Sequence, residues 1–250
     1  MREALAAFAR RALRGALLAE ARCPGCGRVL PTGSGASVTL CADCLAAMLP
    51  VQGEPCPGCG EYPPVAQPQP VLCGRCREKP RPWGRTLVYG PYAGPLKDMI
   101  VGYKFEARLD FGRRLQECAL AAFERGLAAF PELSALDALV PVPLHPRRLL
   151  SRGFNQSREI ARLVSARHGV PIRQGALGRV RRTTPQMELS RQARAENIRG
   201  AFAAQTRLLE GKAVLLVDDI MTTGATLEEC ARAMLDAGAA RVDVLVLARA

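Results

Sequence analysis

Residues 214–226 read VLLVDDIMTTGAT, and this stretch decides the fold. Four aliphatic side chains, 214–217, run straight into Asp218 and Asp219, then into Thr222, Thr223, Gly224, Ala225 and Thr226. A buried strand does not hold two unpaired carboxylates, because desolvating them is costly. The acidic pair therefore marks the carboxyl end of a strand. The turn behind it opens a helix, whose first N–H groups and partial positive charge favour an anion. Threonine hydroxyls add donors, and Gly224 lets the backbone approach closely. A phosphate suits the turn, while the carboxylates need hydroxyl donors or a cationic centre; a sugar phosphate with vicinal hydroxyls supplies both. Adjacent strand residues point to opposite faces, so both acids serve one ligand only if the chain leaves the extended state there. No Gly-Lys-Ser/Thr follows, and the pattern is not G-x-G-x-x-G. An ordinary strand, turn and N-capped helix explains Thr222 or Thr223, but not two acids after four aliphatics.

Outward from this stretch the apolar spacing alternates between periods of two and 3.6. TLVYGPY (86–92) predicts a strand, and 95–105 and 109–130 predict helices. DALVPVPL (137–144) predicts a buried strand running into an extended, proline-bounded segment. Residues 155–169 predict a helix with Ile160, Leu163 and Val164 on one face and Gly169 at its end. A strand over 213–219, a helix over 226–239 and a final strand over 241–248 complete the pattern. The class is α/β, a mostly parallel twisted sheet with helices on both faces. In such sheets ligands sit at the carboxyl ends of strands. The boundary of this domain falls at KPRPWG (79–84), giving 1–82 and 83–250 as the two modules.

The 250 residues hold 35 Lys and Arg against 23 Asp and Glu, a net charge of +12. Residues 145–200 hold thirteen arginines against three glutamates, a net of +10, so most of the excess sits in one quarter of the chain. Compositional bias explains Arg in place of Lys but not the scarcity of carboxylates. Such an excess suits a polyanion, either clustered phosphates on a small ligand or a nucleic-acid backbone. Aromatic residues make up only 5%, which argues against an extensive base-stacking platform. No apolar run approaches the ~18 residues of a transmembrane helix, so no membrane insertion is expected. Charges at Arg10, Arg11 and Arg14 interrupt any signal-peptide core; the first 21 residues predict a short surface helix, with a transit peptide as the alternative.

Eight of the ten cysteines form four C-x-x-C pairs: Cys23 and Cys26, Cys41 and Cys44, Cys56 and Cys59, Cys73 and Cys76. A disulfide framework favours secreted chains, and no convincing export signal is present. Four pairs supply two all-cysteine tetrahedral sites for zinc. CPGCG occurs twice, each time followed about 15 residues later by another pair. The repeat predicts consecutive sites, Cys23, Cys26, Cys41 and Cys44, then Cys56, Cys59, Cys73 and Cys76; pairing the first with the third is the alternative. Four sulfurs leave no open position, so the sites are structural, replacing a core that so few residues cannot build. Cys118 and Cys230 fall in apolar helical patterns and read as core residues. His145 and His168 have no ligand companions and read as structural.

The 214–226 stretch resembles the phosphoribosyl pyrophosphate (PRPP) signature of the type I phosphoribosyltransferases at every position. PVPLHPRRLLSRGFNQ (141–156) and RVRRTTPQMELSRQARAENIRGAF (179–202) narrow the resemblance to the ComF family, as does an amino-terminal set of C-x-x-C pairs. The resemblance implies a type I phosphoribosyltransferase-like sheet behind a small double zinc-ribbon-like module. It implies Asp218 and Asp219 on the ribose hydroxyls and residues 222–226 around the 5′-phosphate. Residues 144–148 match the family's pyrophosphate loop, with Arg148 and Arg152 as contacts, although Arg152 has Glu159 as an alternative ion-pair partner. The arginine-rich stretch matches a mobile hood, with Arg179, Arg181, Gln186 and Arg194 as candidates, and Lys104 supplies a further charge. Magnesium with PRPP is implied as a cofactor.

Three functions stay open at this level. One is a transferase that displaces pyrophosphate from C1 of PRPP with a nitrogen nucleophile. Another, implied by the ComF resemblance, is a cytoplasmic DNA-uptake factor of natural transformation that handles incoming single-stranded DNA beside a helicase-like partner. The third is a regulator that senses PRPP without turnover.

Overall fold

The structure, a computed structural model, describes residues 22–23, 25–30, 40–48, 53–65, 67, 69–181 and 198–250. The amphipathic start, residues 1–21, and the hood candidates Gln186 and Arg194 lie outside the described residues. By its contacts the chain divides into two compact units, Met1–Ala47 and Met48–Ala250. The second set of cysteines belongs to the larger unit, whereas the sequence groups both sets within 1–82.

In the smaller unit an antiparallel bridge joins Arg22 to Val29, and helix α1, Ala42–Met48, starts beside Cys41. The larger unit begins with the loop carrying Cys56 and Cys59 and the short helix α2, Gly74–Glu78. Alternation follows: β1 (Thr86–Pro91), α3 (Gly94–Phe105), α4 (Gly112–Ala129), β2 (Ala138–Pro141), α5 (Pro146–Arg152) and α6 (Gln156–His168). Then come β3 (Leu177–Arg179), β4 (Phe202–Ala204), α7 (Thr206–Leu209), β5 (Ala213–Met221), α8 (Ala225–Asp236) and β6 (Arg241–Arg249).

The main sheet has the order β1-β6-β5-β2, and every pairing in it is parallel. β3 and β4 form a separate antiparallel pair. Parallel strands covered on both faces read as continuous apolar runs, which is why VLLV and VDVLVLA carry almost no alternation. Val140, Val214, Leu216, Val244 and Val246 share one core with Leu227, Cys230, Ala231 and Met234 of α8 and with Ile198 and Phe202. Leu139, Leu215, Val217, Leu245 and Leu247 point the other way by strand alternation and are fully buried where α4 and α6 pack. Asn155 caps α6, its side-chain oxygen accepting from the N–H of Ser157 at 2.9 Å and of Arg158 at 3.4 Å. Gly169, at φ +70°, ends that helix as its sequence predicts.

Two local expectations are corrected. The chain does not leave the extended state at the acidic pair: β5 continues to Met221, in register with β6 from Asp218 opposite Val246 to Met221 opposite Arg249. The reason is that β6 runs just as far, so the ladder has a partner, and each acid finds its own compensating group. Residues 144–148 are not wholly a loop either. Pro146 opens α5 at a position where its fixed φ suits a first helical turn, and His145 Nδ1 accepts from the N–H of Arg147 at 3.3 Å.

Candidate functional site

β5, β6 and β2 bring their carboxyl ends together, and the polar side chains gather there. Asp219 is 5% exposed and pairs with Lys104 Nζ, in the last turn of α3, at 2.8 Å. Asp218 keeps some contact with solvent; its Oδ1 accepts from Ser157 Oγ at 2.9 Å and from the N–H of Asp219 at 2.9 Å. The two acids thus have separate partners on separate helices, as strand alternation requires. Burial and the neighbouring Asp219 carboxylate push the Asp218 carboxyl up to about 7, against the pull of Lys104 and the two donors. A carboxylate held at such cost is poised to accept hydrogen bonds from a ligand that supplies them.

The turn after β5 reaches α8 through Gly224, whose φ is +84°. Ala225 is the first residue of α8, and its N–H donates to Thr223 Oγ1 at 3.3 Å. Thr226 follows it in the first turn. A Cβ at position 224 would stand 3.3 Å from Arg81 Nη1 and 3.6 Å from Trp83. Gly224→Ala therefore combines a left-handed conformation with crowding, and is expected to cost about 1–3 kcal/mol in urea unfolding.

Arg152 lies beside the acids. Burial lowers its pKa, the Asp219 and Asp218 carboxylates raise it, and Arg148 lowers it, which places all four in one electrostatic neighbourhood. Its Nη1 donates to Gln156 Oε1 at 2.5 Å and its guanidinium lies over the Phe105 ring at 5.5 Å. Glu159, the alternative partner, pairs instead with Arg158 and Arg162. Arg179, at the end of β3, is lowered by burial and then by Arg148, so it joins the same group. Arg181 donates to the carbonyl of Arg199 at 2.7 Å, joining the two chain segments that flank the stretch outside the described residues.

Sequence reading missed Ser157, Arg81 and Arg249. Arg81 pairs with Glu228 of α8 at 2.6 Å and donates to the carbonyl of Thr223 at 3.4 Å. Arg249 donates to the carbonyls of Met221 and Thr222 at 3.2 and 2.6 Å. The local hint for Arg249 is an arginine directly after the apolar run 244–248.

The cysteines form two clusters, Cys23 with Cys26, Cys41 and Cys44, and Cys56 with Cys59, Cys73 and Cys76. This is the consecutive arrangement, and none of the ten cysteines is in a disulfide. Within each cluster the sulfurs lie within 4.8 Å of one another, close to the ~3.8 Å separation of sulfurs in a tetrahedral zinc–thiolate site with bonds of ~2.3 Å. The repeat extends to hydrogen bonds. Cys23 Sγ accepts from the N–H of Cys41 at 3.3 Å, as Cys56 Sγ does from Cys73 at 3.3 Å. Such donors stabilise thiolates, the form that binds metal. Both donor sets fit zinc. Cys118 and Cys230 are buried core residues, as read from their helical patterns.

A parallel sheet with an acidic pair at one strand end and a small-residue turn opening the next helix defines a phosphoribosyltransferase-type domain. The phosphoribosyl transferase domain family matches residues 149–250. Over more of the chain, the DNA utilization protein YhgH of Salmonella typhimurium is 36% identical across 199 residues, 78% of this chain and 83% of that protein. Competence protein F of Haemophilus influenzae is 31% identical, over 78% of this chain and 85% of its own. Competence protein ComFC of Bacillus subtilis is 26% identical over 84% of each. The chain belongs to the ComF family. Among the described residues no helix is long and apolar enough to cross a membrane.

Proposed function

We propose that this chain binds PRPP at the junction of β5 and α8 and serves in the uptake and use of DNA. The observation that carries the ligand is the placement of Asp218 and the 222–226 turn at one strand end, with Arg148, Arg152 and Arg179 around them. The names of the relatives, DNA utilization protein and competence protein, support the setting. The +10 excess over 145–200 suits single-stranded DNA as a second polyanion, consistent with a cytoplasmic role beside a helicase-like partner.

In this reading residues 222–226 hold the 5′-phosphate, Asp218 accepts from a ribose hydroxyl while Asp219, buried on the opposite face against Lys104, anchors the strand end, and Arg148 and Arg152 hold the diphosphate through paired donors. Arg179 and Arg181 stand at the foot of the hood. Magnesium arriving with PRPP would neutralise diphosphate charge, and the carboxylate of Asp218 is the kind of hard oxygen donor it takes. In a transfer, the bond from C1 to the diphosphate oxygen breaks, the electron pair leaves with pyrophosphate, and a nitrogen nucleophile bonds to C1 and then loses its proton. Arg148 and Arg152 stabilise the charge that grows on the leaving group, and Asp218 faces the oxocarbenium-like ribose.

Calorimetric titration of PRPP with magnesium, followed by a pyrophosphate-release screen over nitrogenous bases with and without single-stranded DNA, tests this. Saturable 1:1 binding is expected; no binding would reject it. Release only with an acceptor present makes the chain a transferase, and binding without release makes PRPP a regulatory ligand of a DNA-handling protein. DNA affinity is expected to fall steeply with salt.

A further inference from the structure

We infer that the Cys56, Cys59, Cys73 and Cys76 cluster, with its metal, is a brace for the 222–226 turn, and that Arg249, Arg81 and Trp83 are the positioning residues that connect the two. The inference rests on the proposal that this turn holds the phosphate of PRPP.

The knuckle between Cys56 and Cys59 does not stand apart from the sheet. Its successive carbonyls accept hydrogen bonds from the sheet and the segment leading into it: Pro57 from the N–H of Thr86 at 2.7 Å, Gly58 from Trp83 Nε1 at 2.9 Å, and Cys59 from Arg249 Nε at 3.0 Å. Gly60, left-handed at φ +68°, lies so close to β1 that a Cβ there would fall 2.4 Å from Val88 Cγ2. The donors that fix the knuckle also fix the turn. The same guanidinium of Arg249 that binds Cys59 binds the carbonyls of Met221 and Thr222, and its Nη2 pairs with Glu61 at 2.7 Å. Arg81 holds Thr223 and, through Glu228, the first turn of α8, and both Arg81 and Trp83 back Gly224.

Two consecutive carbonyls of the knuckle, Gly58 and Cys59, and three of the turn's approach, 221–223, are thus held by Trp83, Arg249 and Arg81. Arg249 is 8% exposed and Trp83 7%, so neither has solvent as a substitute partner. The knuckle's shape depends on its metal, since a loop of this size has no core to hold it. Removing the metal frees the knuckle carbonyls, loosens Arg249 and Trp83, and with them the turn. Groups that orient a metal site's surroundings commonly change its affinity 10–100-fold, and the coupling runs in both directions.

The test is amide hydrogen exchange of the zinc-loaded full chain, read by mass spectrometry over 219–228, with zinc content measured in parallel. Cys56→Ser with Cys59→Ser is expected to lose one zinc and raise exchange over 222–226 about tenfold, while α6 exchanges as before. Trp83→Phe keeps an aromatic ring but loses both the N–H and the part of the indole that backs Gly224; it is expected to keep both zincs, raise exchange at the turn and weaken PRPP about three- to tenfold. Arg249→Met is expected to do the same more strongly. If the turn is unmoved in all three variants, or α6 loosens as much as the turn, the brace is wrong. If the wild-type chain does not bind PRPP at all, the functional proposal fails, yet the exchange comparison still decides the brace.

Discussion

Asp218→Asn is expected to make the folded protein more stable above pH 7 while weakening PRPP about 10–100-fold. The stability half follows from the burial that raises this carboxyl from its ordinary 3.8 to about 7. Between about pH 4 and 7 the unfolded chain has already released the proton that the folded chain retains, so the folded state loses stability as pH rises through that window. Above pH 7 both states are ionised and the full cost stands, ~2–4 kcal/mol after allowing for the partial solvent contact of Asp218. Asparagine keeps an oxygen for Ser157 and for the N–H of Asp219 and carries no charge to desolvate. The melting temperatures of the two proteins are therefore expected to meet near pH 4 and to separate by pH 8, the variant higher. The binding half follows because a hydroxyl donating to a carboxylate is worth ~1.5–3 kcal/mol, roughly twice a neutral bond. For the same reason wild-type affinity should strengthen as pH rises toward about 7, and the variant should lose that part of the slope. A variant less stable at pH 8 than the wild type would contradict the assigned environment of Asp218.

Lys104→Met is expected to be among the most destabilising single changes in the larger unit, by ~3–5 kcal/mol. Methionine fills the space of the lysine stem, so the loss is mainly electrostatic. Asp219 is left in a site 7% exposed at its side chain without its direct ion-pair partner, Arg152 being the remaining nearby positive charge. Adding Asp219→Asn to Lys104→Met should return most of that stability, because removing both charges removes the desolvation cost with the attraction. Urea unfolding followed by the fluorescence of Trp83, the single tryptophan, reads each variant. If Lys104→Met costs no more than about 1 kcal/mol, the pair behaves as an exposed one and the geometry around Asp219 is not as described.

The four strands of the main sheet, the long helices and both cysteine clusters are legible because each is written in local spacing, whereas the short pair β3 and β4 is not. VLLVDD reads as a strand end without knowledge of its neighbours, and CPGCG followed by a second C-x-x-C reads as one ligand set. What the sequence hid depends on partners far along the chain. Nothing near Asp219 names Lys104, and nothing near Cys59 names Arg249, 190 residues away. The end of β5 was misjudged for the same reason, since it is set by the length of β6 and by the ion pair and hydrogen bonds that meet the acids. The short helix Pro146–Arg152 escaped because three prolines over 141–146 read as extended chain, although the last of them is a favourable helix start.

A crystal structure of the chain with PRPP and magnesium decides whether the end of β5 is a PRPP site. The 5′-phosphate is expected within hydrogen-bond distance of the backbone of 222–226 and a ribose hydroxyl on Asp218, with the diphosphate toward Arg148 and Arg152. PRPP bound with that turn empty, or with its ribose away from Asp218, would contradict it.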